Sequence, residues 1–275
     1  MWQISACAWV LPRSPNHSPT SQIDRIRDAG FASVDLRPDC WSGLDDAAQL
    51  ATRGLTLGCA GLMPEVTAPG ISVELLGSRE FNKFLPYILG SLERAATLGA
   101  QRAYMTTPPR RLSDTTHFAR ALNRLADAAA ENGIMLCVEP HPGGALSTSF
   151  EALAFVQDLG HENLYVLLDL GHCLITGEDP SEAVKSAGKR LGYVHIDDND
   201  GLSDQHRPLF DGILTRSTAT SLLHTLKTVG YDGPIGIELS KSTASPITAL
   251  VQARDFVESW NRRYTPKYAT LEKSE

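Results

Sequence analysis

Eight short apolar runs alternate along the chain with longer amphipathic segments, and no other feature restricts the fold so strongly. The runs are QISACAW (3–9), FASVDLR (31–37), LTLGCAGL (55–62), QRAYMTT (101–107), IMLCVEP (134–140), LYVLLDL (164–170), GYVHIDD (192–198) and PIGIELS (234–240). Each has the length of a buried strand. Between and after them lie segments of helical periodicity: SQIDRIRDAG, DDAAQLATRG, FNKFLPYILGSLERAATLGA, THFARALNRLADAAAENG, SFEALAFVQDLG, PSEAVKSAGKRLG, TATSLLHTLKTVG and SPITALVQARDFVESWNRR. Most close on a Gly shortly before the next strand, where a helix ends in the left-handed conformation. Eight such pairs predict an α/β fold, the (β/α)₈ TIM barrel.

A length of 275 residues suits one such barrel, so residues 1–275 are read as a single domain. A doubly wound open sheet would stop at fewer strands and carry a Gly-rich first turn, which this sequence lacks. Residues 263–275 (RYTPKYATLEKSE) are polar and read as a tail beyond the last helix.

The formal net charge is -7, with Lys and Arg scattered rather than gathered into a stripe. Displacing counterions from nucleic acid needs a basic surface, so nucleic acid is excluded as the first expectation for a partner. The five cysteines (Cys7, Cys40, Cys59, Cys137 and Cys173) are odd in number and show no Cys-x-x-Cys spacing. A disulfide framework or thiolate metal site is therefore not expected, and buried free thiols are. No basic segment followed by an apolar core opens the chain, and no run of about 18 apolar residues occurs. The expectation is a cytoplasmic protein without a membrane partner, and a homo-oligomer is compatible with the sequence.

In a TIM barrel the working side chains project from the C-terminal ends of the strands. The strands expected within these runs place Glu139 at the end of the fifth, Asp169 at the end of the sixth, His195 in the seventh and Glu238 at the end of the eighth. A single carboxylate at a strand end is often a helix cap or ion-pair partner. Metal-ligating groups at four consecutive strand ends are harder to explain that way, because burying three acids without a cation carries a large desolvation cost. A divalent cation removes the difficulty. Three carboxylates and one imidazole match Mn²⁺, Co²⁺ or Mg²⁺ better than a thiolate-seeking metal, with Zn²⁺ also compatible.

The stretches VEPHPGG (138–144), LLDLGHC (167–173), VHIDDNDG (194–201) and GIELS (236–240) resemble the xylose isomerase-like TIM barrel superfamily. This includes sugar phosphate isomerases and epimerases, ketose 3-epimerases, inosose dehydratases, hydroxypyruvate isomerases and the endonuclease IV branch. The resemblance implies one divalent metal ion held by Glu139, Asp169, His195 and Glu238. It also implies that Glu139 and Glu238 act as catalytic acid and base on opposite faces of a hydroxy-ketone. The chemistry is coherent in its own right: a cation that chelates a carbonyl and an adjacent hydroxyl acidifies the carbon between them, and two carboxylates remove and return the proton through an enediolate.

Around this set, the substrate-binding candidates are His172, His206, Asp204, His141, Trp9 and Arg110. His172 follows Asp169 by three residues and resembles a substrate-binding residue of the epimerases, or a ligand of a further zinc in endonuclease IV. Asp204 and His206 alternate in the loop after run seven, so an extended backbone would turn both the same way. A second metal on this pair stays open. Trp9 could stack on a sugar face, and His141 could touch substrate or orient a ligand. Asp35 and Arg37 end run two, and Arg110 with Arg111 could hold an anionic group. The ends of runs two, three and four (DLRPDC, AGLMPE, MTTPPRR) carry no histidine, so the nuclease three-metal cluster cannot be built as in that branch. The arginine that ketose epimerases carry after the run-seven histidine is replaced by Gly201 and Leu202.

The sequence thus predicts a metal-dependent isomerase or epimerase of a small polyhydroxylated carbonyl compound. A metal-dependent dehydratase or lyase of an inosose- or dehydroshikimate-like substrate is the second reading, and a non-catalytic sugar-binding barrel the third.

Overall fold

The computed structural model describes residues 1–12, 18, 20–68, 70–112 and 114–264. Eight strands form a closed barrel in sequence order, every neighbouring pair parallel. They are β1 (Ile4–Cys7), β2 (Ser33–Leu36), β3 (Thr56–Gly61), β4 (Arg102–Thr106), β5 (Met135–Glu139), β6 (Leu164–Asp169), β7 (Leu191–Ile196) and β8 (Ile235–Ile237). Seven of the eight apolar runs contain a whole strand, and β7 begins one residue before its run, at Leu191.

The helices are α1 (Ser21–Asp28), α2 (Ala47–Ala51), α3 (Phe81–Thr97), α4 (Thr116–Glu131), α5 (Ser149–Leu159), α6 (Leu170–Thr176), α7 (Pro180–Ala187), α8 (Arg216–Thr228) and α9 (Pro246–Tyr264). The apolar stripe of α4 shows how they cover the barrel: Phe118, Ala121, Leu122, Leu125, Ala126 and Ala129 are buried at the three-and-four spacing of one helix face. α5 begins on Thr148, whose side chain accepts from Glu151 N–H, and ends on Gly160 at φ 66°.

Two elements depart from the sequence reading. The stretch LGHCLIT, read as the end of run six and the loop after it, forms the extra helix α6, whose first turn Asp169 caps by accepting the His172 backbone N–H at 2.8 Å. At the end of the chain, α9 runs through Arg263, as its helical pattern implies, and takes in Tyr264 from the expected tail; the rest of the expected tail lies outside the described residues. The five cysteines are all buried, as expected. Among the described residues no helix is long and apolar enough to cross a membrane.

Candidate active site

Glu139 and Asp169 are the last residues of β5 and β6, His195 faces inward from β7, and Glu238 lies one residue past β8. Their side chains converge on one point. His195 Nδ1 is 2.9 Å from Glu238 Oε2, 3.3 Å from Glu139 Oε1 and 3.9 Å from Asp169 Oδ2. One ligand atom from each of the four lies within 4.8 Å of all the others. Exposure is 3% for Glu139, 1% for Asp169, 0% for His195 and 8% for Glu238, too little for bulk water to solvate three charges.

The donor set fits a divalent cation. Asp169 uses Oδ1 as the α6 cap, while Oδ2, aimed into the cluster, is buried with no hydrogen-bond partner. Without a cation the carboxylates must compete for protons. Burial, and then the charge of Asp197, pushes Asp169 up to about 7. Burial also raises Glu139, with His195 pulling the other way. For Glu238 burial acts in the same upward direction but is outweighed by the His195 and His206 charges and by hydrogen bonds from His195 and Trp9, so it sits below the usual carboxylate range. Two glutamates in one cluster are thus driven apart in proton affinity.

Trp9 follows β1 in a short 3₁₀ turn, Ala8–Val10. Its Nε1–H donates to Glu238 Oε1 at 2.9 Å, and the Arg37 guanidinium lies 5.1 Å from the ring centroid. Arg37 is itself fixed by Asp39 at 2.7 Å. One ring face is therefore covered, and the contact that Trp9 makes in this site is to Glu238 rather than to an open stacking surface.

A second constellation adjoins the first, with Asp204 at its hub. Asp204 Oδ2 is 3.6 Å from His141 Nε2 and 3.4 Å from His172 Nε2, while Oδ1 is 3.2 Å from His206 Nε2. His172 Nδ1 points to the Pro140 carbonyl at 2.9 Å, which leaves Nε2 facing Asp204. The other nitrogen of His206, Nδ1, lies 2.6 Å from Asp197 Oδ2. His206 takes φ 43°, an uncommon conformation for a residue with a side chain. The loop is pinned there by the antiparallel Asp198–Arg207 bridge and by the Ser240 N–H donating to the His206 carbonyl at 2.8 Å. Asp204 and His206 therefore meet through a left-handed bend, not through the extended backbone expected from their spacing.

Electrostatics in this group follow from the same packing. Burial opposes the charged form of His172, but Asp169, Asp204 and Glu139 overcome it and raise the group to about 10. His206 is likewise raised well above the ordinary histidine value, burial being outweighed by Glu238, Asp197 and Asp204. Asp204 is held far below the usual range: burial opposes this, and the hydrogen bonds from His141, His172 and His206 outweigh it.

Of the residues singled out in the sequence, Glu139, Asp169, His195, Glu238, His172, His206, Asp204, His141 and Trp9 are brought together. Arg110 is not. It is exposed, and its guanidinium donates to both oxygens of Glu74 at 2.8 and 2.7 Å, so its placement does not support substrate contact. Arg111 is spent similarly on Glu151 at 2.8 Å. Asp35 does not line the mouth either, because it lies inside β2 and is wholly buried.

Asp197 was missed in the sequence. It is fully buried, shares a potential ligand group with Asp169 and His206, and leaves Oδ1 without a hydrogen-bond partner. Its position two residues after His195 was the available signal, since alternate residues of a strand face the same way. Gly171 makes room for it: a Cβ there would lie 2.1 Å from Asp197 Oδ1.

Comparison with known proteins agrees with this architecture. The family model "xylose isomerase-like TIM barrel" matches residues 23–260, and the chain belongs to that family. It is 31% identical over 157 residues to the L-ribulose 3-epimerase of Methylomonas sp., covering 55% of this chain and 51% of the relative. The chain thus spans about half the length of that curated relative. It is 29% identical over 254 residues to the L-ribulose 3-epimerase of Mesorhizobium japonicum, covering 89% of this chain and 84% of the relative. A solved L-ribulose 3-epimerase structure superposes with a TM-score of 0.78 at 20% identity, over 99% of this chain and 100% of the other, a likeness of fold.

Proposed function

We propose that this protein is a divalent-cation-dependent isomerase or epimerase of a small polyhydroxylated carbonyl compound, with Glu139, Asp169, His195 and Glu238 as the metal ligands. The observation that carries the reading is the approach of Glu139 and Glu238, separated in the barrel by β6 and β7, to one imidazole nitrogen at 3.3 and 2.9 Å. The names of the curated relatives support the same class.

When bound, a Mn²⁺, Co²⁺ or Mg²⁺ ion, or Zn²⁺, supplies Lewis-acid polarisation of a substrate carbonyl. The chain supplies the proton transfer. One glutamate removes the proton from the carbon beside the carbonyl, and the other returns one from the opposite side, inverting that centre, or to the neighbouring carbon, moving the carbonyl. Glu139 from the end of β5 and Glu238 from beyond β8 reach the cluster from different strands, which suits one to accept a proton while the other donates. His141, His172, Asp204 and His206 surround the mouth with donors and acceptors for substrate hydroxyls. Trp9 keeps Glu238 aimed.

A second reading is a dehydratase. It is favoured by His172, whose Nε2 is buried beside Asp204 at 3.4 Å with no hydrogen-bond partner, a group placed to serve as the acid for a leaving β-hydroxyl. Incubation of the Mn²⁺-loaded protein with a panel of ketoses, inososes and keto-acids separates the two. New epimers or isomers without loss of water support the first reading. A conjugated enone absorbance overturns it in favour of the second.

A further inference from the structure

Beneath the ligand cluster the barrel interior holds a carboxylate that the proposed chemistry does not use. Asp35 lies on the inward face of β2 at 0% exposure. Ser5 Oγ donates to Oδ1 at 2.6 Å, the Cys59 backbone N–H donates to Oδ1 at 2.9 Å, and the Tyr193 hydroxyl lies 2.9 Å from Oδ1 and 2.8 Å from Oδ2. Ser33 Oγ extends the chain by donating to Ser5 Oγ at 3.2 Å. The Cys7 thiol reaches Oδ2 at 3.7 Å.

The backbone is cleared around this group. A Cβ on Gly58 of β3 would fall 2.6 Å from Asp35 Oδ1, and a Cβ on Gly236 of β8 would fall 2.6 Å from Oδ2 and 2.8 Å from His195 Cδ2. Contacts that close never occur, so both positions require glycine for as long as Asp35 and His195 keep their places.

Asp35 Oδ2 faces the underside of His195. The imidazole has Nδ1 turned to the carboxylate cluster and Nε2, buried with no hydrogen-bond partner, turned down to Asp35 Oδ2 at 3.7 Å. Ring rotation is blocked on two sides, because Tyr104 and Tyr193 pack edge-on against the ring at centroid separations of 5.1 and 5.4 Å. A carboxylate below Nε2 favours hydrogen on that nitrogen, and a histidine carrying hydrogen on Nε2 offers a lone pair at Nδ1.

The geometry points to Asp35 as a positioning residue for the metal centre: it holds His195 in the tautomer that presents the Nδ1 lone pair to Glu139, Asp169 and Glu238. This rests on the metal reading of that site proposed above. Asp35 touches neither substrate nor reacting atoms and acts only through His195.

The test is Asp35→Asn in the full chain. The amide keeps the size of the carboxylate and an oxygen for Ser5 and Cys59, but turns an N–H₂ donor toward His195 Nε2. Hydrogen then shifts to Nδ1, and calorimetric titration with Mn²⁺ should show affinity weakened by about 10–100-fold. The independent readout uses unmutated protein labelled with ¹⁵N-histidine and loaded with zinc, a diamagnetic probe, the His195 signals being identified by their loss in His195→Gln. Hydrogen on Nε2 is expected. Hydrogen on Nδ1, or an Asp35→Asn protein with unchanged Mn²⁺ affinity and unchanged tautomer, overturns the inference alone. Should Asp35→Asn not fold, the tautomer in the unmutated protein decides. Failure of the unmutated protein to bind either metal overturns the metal reading and this inference with it.

Discussion

Trp9 Nε1 donates a 2.9 Å hydrogen bond to Glu238 Oε1, joining the turn after the first strand to the carboxylate after the last. The two strands are neighbours because the barrel closes β1 against β8, with Ala6 beside Ile237. The bond gives Glu238 a fixed direction and helps to hold its proton affinity down. Trp9→Phe removes the donor and keeps most of the ring. Stability should fall by about 1–3 kcal/mol, the scale of a buried acceptor left unpaired. Turnover should fall by about 10-fold or more while Mn²⁺ stoichiometry is kept, as measured by steady-state kinetics and calorimetry on the same preparation.

The second constellation yields a prediction of number. In the second constellation His141, His172 and His206 set three imidazoles around the one carboxylate of Asp204, within 3.6 Å, whereas the first cluster sets three carboxylates around one imidazole, the donor set that suits a divalent cation. Mn²⁺ titration should therefore end at one ion per chain, and Asp204→Asn should leave that end point where it is while impairing turnover. An end point of two that drops to one in Asp204→Asn would place a second ion on the histidines.

Asp169 makes metal binding depend on pH in a stated direction. In the cation-free fold its proton is held up to about 7, chiefly by burial, whereas an unfolded Asp releases it near ~3.9. A raised native value contributes stability that is complete below the unfolded value and is lost as pH rises through the native one. The chelated protein should accordingly lose thermal stability between about pH 4 and pH 7 from this group. The ion needs the carboxylate free, so the rise in Tm on adding Mn²⁺ should be larger at about pH 7.5 than at about pH 5.5. Equal rises at both would remove Asp169 from the ligand set.

Gly171 tests how tightly the two constellations are joined. A methyl group there would meet Asp197 Oδ1 at 2.1 Å, so Gly171→Ala must displace either the start of α6 or the Asp197–His206 pair. Unfolding should show a loss of about 1–3 kcal/mol, the usual cost of overpacking. Asp197→Ala in the same chain clears the space and should recover part of that loss in a double-mutant cycle.

The barrel was legible in the sequence because its strands and helices carry different periods, and eight repeats of that difference leave few other folds. Glu139, Asp169, His195 and Glu238 were legible because parallel strands in register turn their C-terminal ends into one rim. α6 was hidden because seven residues are too few for a helical period to stand out, and because its cap, Asp169, is also the last residue of β6. Asp197 escaped because attention to strand ends passes over the residue just beyond, although its alternation with His195 was visible. Arg110 looked like an anion ligand from its place after β4, but loop side chains are directed by tertiary neighbours, and Glu74 is brought to it only by the fold. The bond from Trp9 to Glu238 was not legible, since nothing local tells an indole that a carboxylate 229 residues away will meet its N–H.

The central claim, that Glu139 and Glu238 move a proton as well as hold an ion, is tested most directly by solvent deuterium entry at the carbon beside the carbonyl of a turned-over substrate. The comparison is among the Mn²⁺-loaded protein, Glu139→Gln and Glu238→Gln. Glutamine keeps an oxygen for the ion and removes the base, so metal occupancy should fall only in part while turnover falls by about 10² or more in either variant. One variant should lose deuterium entry altogether, and the other should retain exchange but form no product. Full-rate exchange and turnover in both variants with metal bound would contradict the account, leaving the glutamates as ligands only and moving the base to His141, His172 or His206.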